Sequence, residues 1–299
     1  MVVATLRWMT PTDSTFQGAG GMRLVAHRWG PTPVVGAGAA TAPRAAVAVV
    51  HGWGEHSGRY GKVVDVLTAR GFAVHGFDLR GHGRSPGPRG HIGAWAEYRD
   101  DIAAYLDHVR AQEPAGTPVF LYGHSLGGAI VLEFGLRRPA GVAGVVASAP
   151  SLVPKGVRSP ALEALAAAMS RVWPTFSMKL PLEKAAISRA PDMVGRYGID
   201  DLNHGRITAR AATETLKALA WTRENAPAWR VPLLVIHGDS DRIIDPQGSR
   251  DFAAAARTAT GADVDLRMYE GGYHEPHNDL DAERVLADVA DWLERHLPT

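Results

Sequence analysis

Short apolar segments alternate along the chain with longer segments that carry apolar residues every three or four positions. The short segments are rich in β-branched and aromatic residues and are predicted to be strands. They cover residues 45–50, 73–77, 119–122, 142–148, 233–237 and 264–269. The longer segments are predicted to be helices and cover residues 60–70, 94–111, 126–138, 251–259 and 282–296. Because alternating strands and helices favour a mostly parallel central sheet flanked by helices, the pattern predicts an α/β fold.

The alternation breaks between residues 151 and 230, which are rich in alanine, leucine, methionine and proline and contain no convincing strand. We therefore predict a helical cap (151–230) inserted into a core of residues 1–150 and 231–299. Five apolar residues in it recur at helical spacing: Leu162, Leu165, Met169, Val172 and Trp173. This spacing favours a helix packed inward on the core; the alternative is a face that lines an apolar tunnel or touches lipid. Residues 30–44, rich in glycine, proline and alanine, are predicted to form a surface loop.

Charge and composition exclude several classes of protein. Lys and Arg number 32 and Asp and Glu number 31, so no strong field points to nucleic acid or to an anionic membrane as the main partner. Because cysteine is absent, there is no disulfide, thiolate nucleophile or Cys-ligated metal. Residues 1–17 lack the apolar run of a secretory signal, and nowhere is an apolar run long enough to span a membrane. We expect a cytoplasmic protein, at most peripheral at a membrane, of undetermined oligomeric state.

A candidate nucleophile lies directly after the third predicted strand. Gly123-His124-Ser125-Leu126-Gly127 matches the G-x-S-x-G elbow, in which a strained strand-to-helix turn exposes a serine hydroxyl above the sheet. The glycines after the serine allow the following helix to approach its neighbours closely. Ser125 is therefore the predicted nucleophile.

A serine hydroxyl needs a base to remove its proton, so an acid and a histidine should follow downstream in that order. The loop after the penultimate predicted strand supplies Asp241, with Asp239 and Asp245 as alternatives whose other role is to cap turns or a helix. The glycine-rich loop after the last strand supplies His274, which we favour over His277. No pair of histidines has zinc-ligand spacing, and the chemistry requires neither a metal nor a cofactor.

Acyl transfer also needs backbone donors for the developing oxyanion. These normally come from the residue after the nucleophile and from the loop after an earlier strand. The glycine-rich loop after the first predicted strand carries Trp53, so we assign the N–H groups of Trp53 and Leu126 to the oxyanion hole. The alternative is a glycine-rich turn without a catalytic role.

Taken together, these residues resemble the monoacylglycerol lipase and lysophospholipase branch of the α/β-hydrolases. The matching segments are His51-Gly52-Trp53-Gly54-Glu55-His56-Ser57-Gly58-Arg59-Tyr60, Asp78-Leu79-Arg80-Gly81-His82-Gly83-Arg84-Ser85, the elbow itself, Asp239-Ser240-Asp241-Arg242, and Tyr269-Glu270-Gly271-Gly272-Tyr273-His274. The resemblance runs from about Phe16 to the C-terminus and is weaker in the insertion. It implies a helical cap over the site. Two positions depart from the family pattern: Trp53 is bulkier than the residue usual there, and Asp201 replaces a proline.

The resemblance also implies a site for the polar end of the substrate. It assigns that role to Glu55, Arg59, Tyr197 and His277. For Glu55 and Arg59 the alternative is an ion pair that braces the loop.

The expected function is hydrolysis of carboxylic esters with a single acyl chain, above all of monoacylglycerol to glycerol and fatty acid, through an acyl-Ser125 intermediate. The partner would be a small acyl ester or lipid, with transient contact between the cap and a lipid interface. The alternatives are a general carboxylesterase or a lysophospholipase that uses the same triad. A more remote alternative is a binding module that has kept the fold and lost the chemistry.

Overall fold

An eight-stranded sheet forms the centre of the molecule, for which a computed structural model describes residues 10–31, 42–156, 160–180 and 182–298. The strands are β1 (Thr12–Gln17), β2 (Arg23–Trp29), β3 (Ala46–Val50), β4 (Ala73–Phe77), β5 (Val119–His124) and β6 (Gly144–Ser148), followed by β9 (Leu233–Gly238) and β10 (Val264–Tyr269). Their order is β1-β2-β4-β3-β5-β6-β9-β10, and all neighbours from β4 to β10 are parallel. The predicted mostly parallel sheet is therefore confirmed.

Helices cover both faces of this sheet. They are α1 (Gly61–Ala69), α2 (Ala96–Gln112), α3 (Leu126–Arg137), α7 (Pro246–Thr260) and α8 (Ala282–Arg295). Alternate residues of β3 and β5 point to opposite faces, so Val47 packs with α1 and α8 while Ala48 packs with α2 and α3. Two buried apolar layers, one on each face, hold the sheet in place.

All six predicted strands and five predicted helices occur; strands β4 and β10 have the predicted bounds, and the other elements have shifted ends. Helix α7 begins five residues before the predicted start, at Pro246, because the side chain of Asp245 caps it by accepting a hydrogen bond from the amide of Gln247 at 3.0 Å. The two antiparallel strands at one side of the sheet, the edge strand β1 and its neighbour β2, were not predicted. In β1 only Phe16 is buried, so an edge strand of this kind lacks the apolar run that marks a central strand.

The segment between β6 and β9 contains α4 (Pro160–Val172), β7 (Ser177–Lys179), α5 (Pro191–Ile199), β8 (Arg206–Thr208) and α6 (Ala209–Glu224). The expectation that it holds no strand is wrong, because β7 and β8 pair antiparallel. Each has three residues, too few for a detectable alternation of polar and apolar positions. The division into core and cap at residues 151 and 230 remains a prediction.

Helix α4 turns part of its apolar face to solvent. Leu165 is 58% exposed, Val172 is 85% exposed and Trp173, just after the helix, is 56% exposed. The prediction of inward packing is therefore wrong for these three residues, whereas Met169 is half-buried. The predicted face also includes Leu162, whose side chain lies outside the described residues. No helix in the described part of the chain combines the length and the apolar character needed to cross a bilayer.

Two further predictions fall partly on residues that the structure does not describe. Residues 1–9 of the N-terminal segment and residues 32–41 of the predicted surface loop lie outside the described residues.

Candidate active site

Ser125 occupies a sharp turn between β5 and α3. Its φ angle is 53°, and Ser125 and Ala149 are the two non-glycine residues with positive φ in the described part of the chain. The turn also requires close approach of the backbone, because a Cβ atom on Gly127 would lie 2.1 Å from the carbonyl oxygen of Val50. A Cβ on Gly123 would lie 2.3 Å from the oxygen of Gly127. The glycines on both sides of Ser125 are therefore needed for α3 to pack against β3 and β5.

The three residues of the predicted triad lie in one chain of hydrogen bonds. The Oγ of Ser125 is 2.9 Å from Nε2 of His274, and Nδ1 of His274 is 2.7 Å from Oδ2 of Asp241. Each residue follows the C-terminal end of a different parallel strand: Ser125 follows β5, Asp241 follows β9 and His274 follows β10. The topology therefore brings them to the same edge of the sheet.

Asp241 accepts four hydrogen bonds and is almost fully buried. Oδ2 accepts from His274 and from Nε2 of His237 at 2.9 Å, while Oδ1 accepts from the amides of Ile243 at 2.7 Å and Ile244 at 3.0 Å. Burial by itself raises the pKa of Asp241, but the charge of His274 and the hydrogen bonds from both histidines outweigh it, so the pKa lies well below its usual range. Asp241 is therefore ionised.

An ionised Asp241 fixes the proton on the imidazole of His274. Burial by itself lowers the pKa of His274, but the charge of Asp241 and its hydrogen bond outweigh burial, and the pKa lies above its ordinary value. Because a carboxylate can only accept, Nδ1 of neutral His274 carries the proton and Nε2 is left to accept the proton of Ser125. This arrangement can generate an alkoxide-like nucleophile.

The alternative acids have other partners. Asp239 accepts a hydrogen bond from the amide of Gly271 at 2.7 Å, and Asp245 caps α7. Neither contacts His274, and both hold turns or helix ends, as the alternative for them predicts. In the described part of the chain, no group of three or more His, Asp or Glu side chains could hold a metal ion.

The two amides assigned to the oxyanion hole flank the nucleophile. Leu126 is the first residue of α3, and a Cβ on Gly52 would lie 3.2 Å from Cβ of Ser125, which places the loop after β3 beside the serine. Within the described residues, neither the Trp53 nor the Leu126 amide donates a hydrogen bond. Both donors are therefore available to a ligand. The indole of Trp53 donates from Nε1 to the carbonyl of Arg206 at 3.1 Å.

Glu55 and Arg59 belong to a buried ionic cluster. Arg59 donates to Glu55 and also forms two hydrogen bonds with Glu275, at 2.8 and 2.9 Å. The other oxygen of Glu55 accepts from Tyr60 at 2.8 Å and from the amide of Gly52 at 2.6 Å. Burial by itself raises the pKa of Glu55, but the charge of Arg59, together with the two nearby histidines and the hydrogen bond from the amide of Gly52, outweighs burial, so the pKa is lowered. These contacts support the alternative in which the pair braces the loop.

Tyr197 and His277 lie against this cluster. The Arg59 guanidinium is 4.7 Å from the centre of the Tyr197 ring, and His277 stacks on Tyr60 with ring centres 5.0 Å apart. His277 is fully buried, and neither ring nitrogen has a hydrogen-bond partner in the described structure. Burial lowers the pKa of His277 to about 4, so the ring is neutral at pH 7 and offers one donor and one acceptor.

Three residues of the site were not predicted. His237 contacts Asp241, Glu275 contacts Arg59, and Ser151 lies 3.1 Å from the Oγ of Ser125. His237 sits four residues before Asp241 and Glu275 directly follows His274, so proximity in sequence could have suggested both. Ser151 is not close in sequence to any triad residue, and it lies beside Ser125 because the fold brings the end of β6 next to the elbow.

The fold and the site define a serine hydrolase of the α/β-hydrolase class, in which a serine on a strand-to-helix elbow is followed along the chain by an acid and a histidine. Within this class, the chain belongs to the family described as serine aminopeptidase S33, whose model matches residues 41–281.

Individual relatives cover almost the whole chain. A monoacylglycerol lipase from Mycolicibacterium smegmatis is 35% identical over 96% of this chain and 99% of its own length. The human monoglyceride lipase is 30% identical over 94% of this chain and 90% of its own length. The crystal structure of a monoacylglycerol lipase from Paleococcus ferrophilus superimposes with a TM-score of 0.81 at 33% identity, covering 92% of this chain and all of that one.

Proposed function

We propose that the protein hydrolyses carboxylic esters with a single acyl chain, above all monoacylglycerols, with Ser125 as nucleophile, His274 as base and Asp241 as the acid that orients it. The hydrogen-bonded chain from Ser125 through His274 to Asp241 carries this proposal. The names of the relatives support the substrate class, since both proteins and the superimposed structure are monoacylglycerol or monoglyceride lipases.

Acylation begins when Oγ of Ser125 attacks the ester carbonyl carbon and gives its proton to Nε2 of His274. The amides of Trp53 and Leu126 stabilise the oxyanion that forms. When the tetrahedral intermediate collapses, the bond to the alcohol oxygen breaks and His274 returns the proton to that oxygen. Glycerol leaves, and the acyl group remains on Ser125.

Deacylation repeats these steps with water. His274 takes a proton from the water as its oxygen attacks the acyl carbon, and the same two amides stabilise the second oxyanion. The bond to Oγ of Ser125 then breaks, and His274 returns the proton to the serine. A free fatty acid is released, and no metal or cofactor is needed for the balance of protons and electrons.

The glycerol end of the substrate would bind next to the buried ionic cluster. Both carboxylate oxygens of Glu55 are already engaged, so we assign to Glu55 and Arg59 the task of holding the loop and the Tyr197 ring in position. Among the four residues that the resemblance assigns, His277 has two buried ring nitrogens without a hydrogen-bond partner in the described structure, and a substrate hydroxyl that reached this ring would satisfy them. A neutral imidazole can both donate to and accept from a diol.

The segment 151–230 is proposed to act as a cap that holds the acyl chain and touches lipid interfaces transiently. Its exposed apolar residues Leu165, Val172, Trp173 and Met178 lie beside exposed basic residues on α4 and β7. Apolar side chains with flanking cations suit the boundary of an anionic lipid surface. We therefore propose that the enzyme, which we expect in the cytoplasm, binds membranes peripherally; Trp173→Ser should weaken its co-sedimentation with anionic vesicles.

Turnover of a chain-length series of monoacylglycerols, p-nitrophenyl esters and lysophosphatidylcholine tests the proposal. Ser125→Ala should abolish hydrolysis, whereas the control Ser240→Ala removes an exposed hydroxyl and should leave it unchanged. Full activity of Ser125→Ala would refute the nucleophile. Rapid turnover of short esters with none of monoacylglycerols would instead favour a general carboxylesterase, and preference for lysophosphatidylcholine would favour a lysophospholipase.

A further inference from the structure

A second hydroxyl lies against the nucleophile. The Oγ of Ser151 is 3.1 Å from the Oγ of Ser125, and Ser151 is 8% exposed. Ser151 is not among the residues to which the resemblance assigns a role.

The protons in this contact can be assigned by elimination. Asp241 is ionised and holds a proton on Nδ1 of His274, so Nε2 must accept. The single proton of the Ser125 hydroxyl therefore points to His274, at 2.9 Å. What remains on Ser125 is a lone pair, so Ser151 must be the donor in the contact between the two hydroxyls.

The backbone fixes the two hydroxyls relative to each other. The amide of Ser151 donates to the carbonyl oxygen of Ser125 at 3.0 Å, so the two residues are joined through main chain as well as side chain. Two residues earlier, Ala149 has a φ of 42°, and its amide donates to the carbonyl of Ile236 at 2.8 Å. The two non-glycine residues with positive φ in the described structure are thus Ser125 itself and the residue that directs the chain toward Ser151. Strain of this kind persists only where the surrounding structure enforces it, and it clusters at active sites.

We propose that Ser151 is a second catalytic hydroxyl that donates a hydrogen bond to Oγ of Ser125 during both half-reactions. In acylation, the Oγ–carbon bond forms as the Ser125 proton moves to His274, and Ser151 stabilises the negative charge that develops on Oγ. In deacylation, the same bond breaks, and Ser151 stabilises Oγ as it leaves, before His274 returns the proton. Ser151 keeps its own proton throughout. This inference rests on the proposed function, since it assumes Ser125 as nucleophile.

The experiment compares Ser151→Ala, Ser151→Thr and Ser151→Val. Threonine and valine have nearly the same shape, so this pair isolates the hydroxyl from any effect of packing. The primary readout is the second-order rate of labelling of Ser125 by a fluorophosphonate, which reports the reactivity of the nucleophile. Burst kinetics with p-nitrophenyl esters give acylation and deacylation separately.

A hydrogen bond to an oxygen that becomes charged corresponds to a loss of about tenfold or more when it is removed. We expect Ser151→Ala and Ser151→Val to label about tenfold more slowly than wild type and to lower kcat with little change in KM. Ser151→Thr should label faster than Ser151→Val by a similar factor. Far-ultraviolet circular dichroism and urea unfolding verify that each variant folds.

Labelling of Ser151→Ala within twofold of the wild-type rate would overturn the inference, as would equal losses in the threonine and valine variants. Either result would leave the proposed function intact as long as Ser125→Ala is inactive. Full activity of Ser125→Ala would remove the proposed function itself. The two failures are therefore distinguishable.

Discussion

Replacing Arg59 with methionine would separate bracing of the loop from recognition of substrate. Arg59 is the cation between Glu55 and Glu275, and the three side chains are 7%, 3% and 4% exposed. Methionine keeps much of the length of the side chain but leaves two buried carboxylates without their counter-charge. Removal of one partner from a buried ion pair costs about 3–5 kcal/mol, so we expect the free energy of unfolding at pH 7 to fall by that amount.

The same cluster determines how the difference in stability between Arg59→Met and wild type changes with pH. In wild type the charge of Arg59 is the largest of the influences that lower the pKa of Glu55 against burial, so its removal raises the pKa of Glu55 in the folded state. A carboxyl with a higher folded pKa keeps its proton in the native variant at pH values where wild type has already lost it, so the variant loses stability relative to wild type as pH rises. The deficit of Arg59→Met relative to wild type should therefore be larger at pH 8 than at pH 5.

Urea unfolding at several pH values, combined with kinetics on a monoacylglycerol and on p-nitrophenyl acetate, measures both effects. Arg70→Met is a matched control, because Arg70 is 39% exposed and pairs at the surface with Asp291 at 3.0 Å. Its loss should cost at most about 1 kcal/mol. If Arg59→Met is as stable as this control and loses affinity only for the monoacylglycerol, the brace is refuted and Arg59 contacts the substrate.

Three other perturbations test the triad and its packing. Because the pKa of His274 is raised and its protonated form cannot act as a base, kcat/KM for a neutral ester should reach half its plateau above pH 6.5; a midpoint below that value would contradict the assigned shift. His237→Leu removes one of four donors to Asp241, so kcat/KM should fall about tenfold and its acid limb should move to higher pH; an unmoved limb would count against this role. Gly127→Ala forces a Cβ to within 2.1 Å of a backbone oxygen, so urea unfolding should show a loss of about 1–3 kcal/mol or more; an unchanged midpoint would contradict the packing argument.

Much of the core could be predicted from the sequence because central strands are buried on both faces and form continuous apolar runs. Residues 119–122 and 233–237 are examples, and the positions of Ser125, Asp241 and His274 follow from strand ends that meet at one edge of a parallel sheet. The catalytic roles of these residues remain predictions.

Contacts that the fold creates between distant segments were harder to predict. Strands β7 and β8 pair although about 30 residues separate them in the chain. A strand of three residues is too short for its sequence pattern to predict a pairing partner. Trp173 follows the apolar spacing of α4 and yet is exposed, because periodicity shows which residues share a face but not what covers that face. Ser151 contacts Ser125 across 26 residues, after a turn in which Ala149 has a positive φ, and neither feature can be recognised in the sequence.

The triad is assembled from segments that lie far apart in the chain, and this has a consequence for folding. Ser125 and His274 are 149 residues apart, and the last parallel strand must be in place before they meet. Contacts of such long range are costly in loop entropy and form late. After dilution from urea, hydrolytic activity should therefore recover later than the helical circular dichroism signal, because activity requires that the final strand has joined the sheet.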